Sequence, residues 1–414
     1  MASQTRSLSA SPASASRTLP PRHGTAAAAS SRQGTDGWWL AVAFRPLFFV
    51  AALQAVAAVP AWLWIYTAGI AEVAGLPALT WHAHEMVFGF LPPIMAGYLL
   101  SATPNWSGRL PTAGTPLALL VGLWLAGRLV PFVAPLPLAL AVDAAFPLAV
   151  SALLLREMRL GRSGQSRHGL MLFPVLAAAA LAHRLFGDDP ATAAMMARTG
   201  IAVAALLIAA VGGRLVPSLT RNALAGRGAE RVPAPYGRFD IFVLLATSAA
   251  LPAWVLAPDA TVTGALLTGA GLLNLARLLR WRGWLLRRGD ILALHAGYGW
   301  LVTGLLLAAL AALPGLALPA DAALHALTAG AIGSMTLAVM SRLATTRGPG
   351  GYAGRWLCGA ALLTVNLGAV LRITAPIAPE HYLPLVAAGG LCWSLAYLLF
   401  AVAQTRPLRA AAIN

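Results

Sequence analysis

A chain of 414 residues that is 59% hydrophobic and only 10% charged is too apolar for a soluble domain, where charged residues run near a quarter. All 29 basic residues are arginine, and the formal net charge of +16 sits in short loops between apolar runs, which excludes a nucleic-acid face of basic stripe and interleaved aromatics. The 2 cysteines, Cys358 and Cys392, fall inside apolar segments without CxxC or CxxCH spacing, which excludes zinc ribbons, thiolate clusters and covalently attached haem.

Residues 1–36 are rich in Ala, Ser, Arg and Gly and are expected to form a disordered cytoplasmic tail. Their longest apolar run, Ala26–Ala29, is too short for the core of a signal peptide. From residue 37 to 405, apolar windows long enough to cross a bilayer recur. They predict helices near 41–66, 80–103, 115–133, 138–156, 169–186, 193–214, 240–257, 262–280, 290–312, 321–342, 355–374 and 383–403. Residues 406–414 are expected to form a short cytoplasmic tail. The fold class is therefore an all-α polytopic membrane bundle of about twelve transmembrane helices. Arginine fills alternate loops, around Arg109, Arg156–Arg167, Arg221–Arg238, Arg280–Arg288 and Arg347–Arg355. The intervening loops carry Glu72, Asp188, Asp189, Asp259 and Glu380. The positive-inside rule then places both termini in the cytoplasm. Small residues recur every four along the tenth span, at Ala326, Gly330, Ser334 and Ala338, a spacing that puts this helix in the bundle interior.

The second span opens with Trp81-His-Ala-His-Glu85. Ionisable groups at membrane depth each cost about 2.5 kcal/mol or more unless something binds them. In the predicted topology His82, His84 and Glu85 lie near the outer leaflet, as does His325 at the start of the tenth span. Arg128, Asp143, His183, Arg184 and Arg198 reach the same depth from four further spans. An Arg128–Asp143 ion pair between adjacent helices is one reading, and interfacial anchoring of His183, Arg184 and Arg198 is another. Residues two apart on a helix point nearly opposite ways, whereas those three or four apart share a face. His82 is thus expected to pair with Glu85 and Met86, and His84 to face elsewhere with Phe88. Were the helix to start only after His84, both rings could meet on one metal. Imidazole suits haem iron and copper, and a carboxylate at i+3 could orient a ring N–H. His82, His84, Glu85 and His325 are accordingly the candidate metal ligands.

At the opposite end, Asp290 and His295 open the ninth span. His295 is a secondary ligand candidate, with a hydrogen-bonded packing role as the alternative. Arg214, in Gly212-Gly-Arg-Leu-Val-Pro217, and Arg342 end inward-running helices, and Arg45 lies on the same face. Each could meet a haem propionate or anchor its helix to headgroups.

Five stretches resemble the NnrS family of bacterial membrane proteins: AFRPLFFVAAL at 43–53, WHAHEMVFGFLPPIMAGYLLSATPNWSGRL at 81–110, GGRLVPSLTRNAL at 212–224, LHAGYGWLVTGLLL at 294–307 and HALTAGAIGSMTLAVMSR at 325–342. The resemblance implies a haem- and copper-containing protein of the bacterial inner membrane, linked to nitric oxide metabolism and resistance to nitrosative stress. It assigns no reaction. After Arg342 the family often continues with a His-containing turn, where this chain has Leu343-Ala-Thr-Thr-Arg. Two other classes compete with a haem/copper protein that binds nitric oxide. One is a twelve-span transporter of a small solute or metal complex, since both termini inside suit secondary transporters. The other is a haem–copper oxidase, which requires an adjacent His-His pair that this chain lacks.

Overall fold

The computed structural model describes residues 39–160, 167–315, 318–344, 347–348, 351–352 and 355–411. The predicted N-terminal tail lies outside the described residues. Helix α1 is Phe44–Thr67, and a two-residue hairpin, β1 (Glu72–Val73) with β2 (Leu76–Pro77), leads into α2. Helix α2 is composite: an α-helical Ala78–His84, a π-helical Glu85–Phe90 and an α-helical Leu91–Ser107. Then come α3 (Thr115–Leu129), α4 (Leu136–Leu160) and α5 (Arg167–Leu185). Helix α6 repeats the composite design, with Pro190–Leu207, π-helical Ile208–Gly212 and Gly213–Ala225. Helices α7 (Arg238–Leu256), α8 (Thr261–Arg280) and α9 (Gly289–Ala311) follow. Helix α10 is again composite, with Ala320–His325, π-helical Ala326–Ile332 and Gly333–Ala344. A second hairpin, β3 (Arg347–Gly348) with β4 (Gly351–Tyr352), precedes α11 (Arg355–Thr374) and α12 (Tyr382–Ala411).

Among the described residues, eleven of these helices are long and apolar enough to cross a membrane. The twelfth, α5, is apolar over the shorter stretch Met171–Leu185. All twelve predicted spans therefore appear as helices. The last one continues to Ala411, beyond the predicted start of a tail at 406. Large apolar side chains such as Leu119, Leu245 and Leu363 point outward with 64%, 63% and 77% exposure. Apolar exposure on that scale fits contact with lipid chains.

The π-helical segments fall on the second, sixth and tenth helices, four helices apart, and α6 packs against the π segments of both α2 and α10. A π turn frees a backbone carbonyl from the usual ladder, and such turns gather at functional sites. Side chains satisfy the freed groups here. Trp124 Nε1 donates to the Gly89 carbonyl at 2.8 Å, and Arg277 Nη1 donates to the Ala209 carbonyl at 2.8 Å. The expected interior position of α10 is observed: Ala326, Ser334 and Ala338 are all buried.

Close helix approach depends on small residues. A Cβ on Gly297 of α9 would stand 2.8 Å from both the N and Cα atoms of Met335 in α10. Backbone cannot rotate away as a side chain can. Gly297→Ala is therefore expected to force α9 and α10 apart and cost about 1–3 kcal/mol, read as a lower unfolding midpoint in detergent. An unchanged midpoint would mean that the two helices are not so tightly packed.

Candidate functional site

Residues 82 and 84 both lie within the first α-helical part of α2, which starts at Ala78. The helical period therefore sends their rings to opposite faces, and the reading in which both converge on one metal does not hold. The consequence is two polar sites on the two sides of α2.

His82 faces a cavity of about 820 Å³ lined mainly by α1, α2, α6, α10, α11 and α12. Its ring stacks on Trp62, with centroids 4.6 Å apart and planes 20° from parallel. His325 of α10 lines the same cavity, as do Met86, Arg372 and His183. His82 and His325 sit five and six residues into their helices, which puts them roughly 6–9 Å below the helix starts. The walls deeper in are apolar: Val87, Phe90, Leu91, Ile332 and Val386. The His325 ring is fixed. Its Nδ1 lies 2.9 Å from the carbonyl and 2.9 Å from Oδ1 of Asp321, one turn earlier. The Asp321 carboxylate is itself held by Arg372 Nη2 at 2.9 Å. A carboxylate on one ring nitrogen sets the tautomer and leaves Nε2 as the lone pair.

His84 faces the other way, into a buried network. It packs on Phe88 at 5.4 Å, as the spacing predicted. Its Nδ1 meets Nδ1 of His183 at 3.4 Å, and its Nε2 lies 3.3 Å from Oδ2 of Asp143. Asp143 also accepts from Arg184 Nε and, at 3.0 Å, from Arg128 Nη2. Arg128 Nη1 donates to Glu85 Oε1 at 2.8 Å, and Gln54 Nε2 donates to Glu85 Oε2 at 2.5 Å. His84, His183, Arg184, Glu85 and Asp143 are 0–6% exposed. Two carboxylates stand against two guanidiniums, and this balance is what makes charge tolerable at membrane depth. Gly89 makes room for them, since a Cβ there would stand 2.7 Å from Arg128 Nη1. Arg184 Nη1 also caps the Ala74 carbonyl at 3.2 Å in the β1–β2 turn, where Ala74 holds the left-handed φ of 52°.

The sequence expectations divide accordingly. Convergence of the second, third, fourth and fifth spans at one end is observed, and the Arg128–Asp143 pair exists. Interfacial anchoring of His183 and Arg184 does not hold, because they are only 1% and 4% exposed. Glu85 does not orient His82. It belongs to Arg128 and Gln54, on the His84 side. Arg198 donates to the Val255 carbonyl at 3.3 Å, outside the network. The four expected donors therefore do not form one centre: His82 and His325 share a cavity, while His84 and Glu85 lie behind α2. Among the described residues, no group of three or more His, Cys, Asp or Glu is gathered as for a metal ion.

His295 and Arg214 belong to the opposite end of the bundle and neither lines the cavity. His295 Nδ1 bonds to the Ile291 carbonyl at 3.0 Å and Nε2 meets Thr220 Oγ1 at 3.4 Å, which is the packing role. Arg214 is exposed, with its guanidinium 4.7 Å over the Tyr236 ring. Arg342 pairs with Asp290 at 2.8 Å. Both cysteines are free.

Sequence reasoning missed Trp62, Asp321, Arg372 and Gln54. Asp321 had a signal in its i, i+4 spacing to His325. Gln54 had one as a lone amide in an apolar helix. Trp62 and Arg372 had none, because their partners are distant in sequence. In comparison with known proteins, the family model described as NnrS protein matches residues 38–411. No curated protein matches the chain.

Proposed function

This chain belongs to the NnrS family of nitric-oxide-related membrane proteins, and from that premise we propose that it binds haem in the His82–His325 cavity and uses it to handle nitric oxide. One observation carries the reading: two imidazoles from helices more than two hundred residues apart line a single apolar cavity. Its volume of about 820 Å³ falls within the range of roughly 300–1,000 Å³ typical of ligand and cofactor sites.

The residues suit the group. His82 and His325 would hold the iron, and Asp321 keeps the His325 lone pair on Nε2. Arg372, on the cavity wall, offers a cation to the carboxylates that a haem carries. Phe90, Leu91, Ile332 and Val386 exclude water from the deeper part. When bound, haem iron supplies reversible binding of a diatomic ligand and one-electron chemistry. With the arginine-rich loops inside, the cavity belongs to the outer half of a bacterial inner membrane.

Absorption spectra and haem content of the purified protein test this. Wild type is expected to carry a Soret band. His82→Ala or His325→Ala should lose at least tenfold in retained haem, and Asp321→Asn should retain haem but bind it more weakly. Haem content unchanged in both histidine variants, or no Soret band in wild type, would eliminate the reading.

A further inference from the structure

Arginines at the arginine-rich end of the bundle divide by what holds them. Asp240 takes Arg277, and Asp290 takes Arg288 and Arg342. Arg214 and Arg280 are held differently, each laid on an aromatic ring. The Arg214 guanidinium stands 4.7 Å over Tyr236, and that of Arg280 stands 4.4 Å over Phe239. Neither meets a carboxylate or a hydrogen-bond acceptor among the described residues. A ring attracts the cation through its face, so the N–H donors in the guanidinium plane stay free for a second partner. Stacking also fixes two long side chains in advance, which lowers the entropy lost when a ligand arrives. Tyr236 and Phe239 are three residues apart, so α6 and α8 present their two cations to one short segment at the start of α7.

The surface beside these cations is apolar and turned outward. Phe239, Phe242 and Leu245 follow at three-residue spacing on one side of α7, and the last two are 58% and 63% exposed. On α8, Leu272 and Leu279 stand two turns apart on one side and are both more than half exposed. Helices α7 and α8 pack together, and the reach of Arg280 to Phe239 brings the two apolar sides next to each other. Trp284 is also well exposed, in the short turn Gly283–Leu285 that follows α8. Tryptophan gathers at headgroup depth in membrane proteins. The two cations therefore lie where an apolar surface meets the headgroup layer.

We propose that this end of the protein binds one anionic phospholipid, its phosphate held by Arg214 and Arg280 and its acyl chains lying along α7 and α8. Both halves of the surface choose the occupant. Two uncompensated cations call for a ligand of net negative charge, which disfavours a zwitterionic lipid. The outward phenylalanine and leucines call for hydrocarbon chains, which disfavours a free phosphate. Basic pockets between transmembrane helices recognise acidic head groups in this way. None of these residues lines the His82–His325 cavity, so the site stands without the haem reading.

The experiment strips the purified full-length protein of lipid in detergent and incubates it with an equal mixture of phosphatidylglycerol and phosphatidylcholine. Retained lipid is then counted by native mass spectrometry. Wild type is expected to keep one phosphatidylglycerol per chain, with at least tenfold preference over phosphatidylcholine. Arg280→Gln and Arg214→Gln should each lower that preference at least threefold, and the double variant should abolish it. Arg287 is exposed at the same end and has no ring beneath it among the described residues. Arg287→Gln should leave the preference unchanged, which separates a built site from general attraction to positive charge. The proposal is overturned if wild type retains both lipids equally, or if the double variant keeps the wild-type preference. It is overturned as well if Arg287→Gln loses as much as Arg280→Gln, or if excess inorganic phosphate displaces the lipid from wild type. The comparison of lipids and the phosphate competition use wild type alone, so neither depends on a variant that folds.

Discussion

Asp143→Ala is expected to be among the most damaging single substitutions in this protein. The carboxylate accepts from Arg184 and Arg128 and faces His84, and its side chain is only 1% exposed. Removing it leaves one guanidinium, Arg184, without any carboxylate and the other, Arg128, with Glu85 alone. Deleting one partner of a buried ion pair costs about 3–5 kcal/mol, because the remaining charge is stranded rather than merely unpaired. In a bilayer interior no water can enter to solvate it. The unfolding midpoint in detergent should fall accordingly. Asp143→Asn keeps the shape and still loses the charge, so it should recover only part of the stability. A loss below about 1 kcal/mol for Asp143→Ala, the range of exposed pairs, would show that the network is solvated.

Arg277→Leu should have an effect of similar size at the other end of the bundle. Arg277 is 1% exposed and serves four acceptors. Nε donates to Asp240 Oδ1 at 2.8 Å, Nη1 to the Ala209 carbonyl at 2.8 Å and Tyr298 Oη at 3.2 Å, and Nη2 to the Gly213 carbonyl at 3.2 Å. One carbonyl lies within the π segment of α6 and the other directly after it, so this one guanidinium ties α6 to α7, α8 and α9. Gly213 is required beside it, since a Cβ there would collide with the guanidinium. Leucine strands Asp240 and uncovers both carbonyls, at about 3–5 kcal/mol. Lysine should not rescue, because a single ammonium lacks the planar fork that reaches acceptors on different helices. Asp240→Leu combined with Arg277→Leu should be less damaging than Arg277→Leu alone, because no charge is then left behind. Equal unfolding midpoints for the single and double variants would contradict this account.

These two networks also show where sequence reasoning reaches its limit. The positions of all twelve helices were legible, since an apolar run must form every backbone hydrogen bond within itself at membrane depth. The helical period offered the split between His82 and His84 as one of two readings, and the start of the helix at Ala78 decided for it. Glu85 was misassigned to His82. At i+3 it could lie beside that ring, but it follows the stronger partner, the Arg128 guanidinium arriving from α3. His183 and Arg184 read as interfacial anchors because they end an apolar run, just as a headgroup anchor does. Their burial comes from the β1–β2 hairpin and α4 folding over them, which the local pattern does not record. Arg277 was not singled out at all, although it falls inside the span predicted at 262–280. Its one signal was Asn274, three residues earlier on the same helical face.

Local chemistry thus settled which segments become helices, how many there are and which way each side chain leaves its own axis. Those properties depend on hydrophobicity and on a period of 3.6 residues, and both are written along the chain. The choice of partner was settled by assembly. An ionisable side chain in an apolar interior takes the nearest opposite charge or lone pair, and for Arg184 those neighbours come from a helix 41 residues away and a turn 110 residues away. For this reason a single histidine-rich motif resolved into two sites, one open to a cavity and one closed within a balanced set of charges.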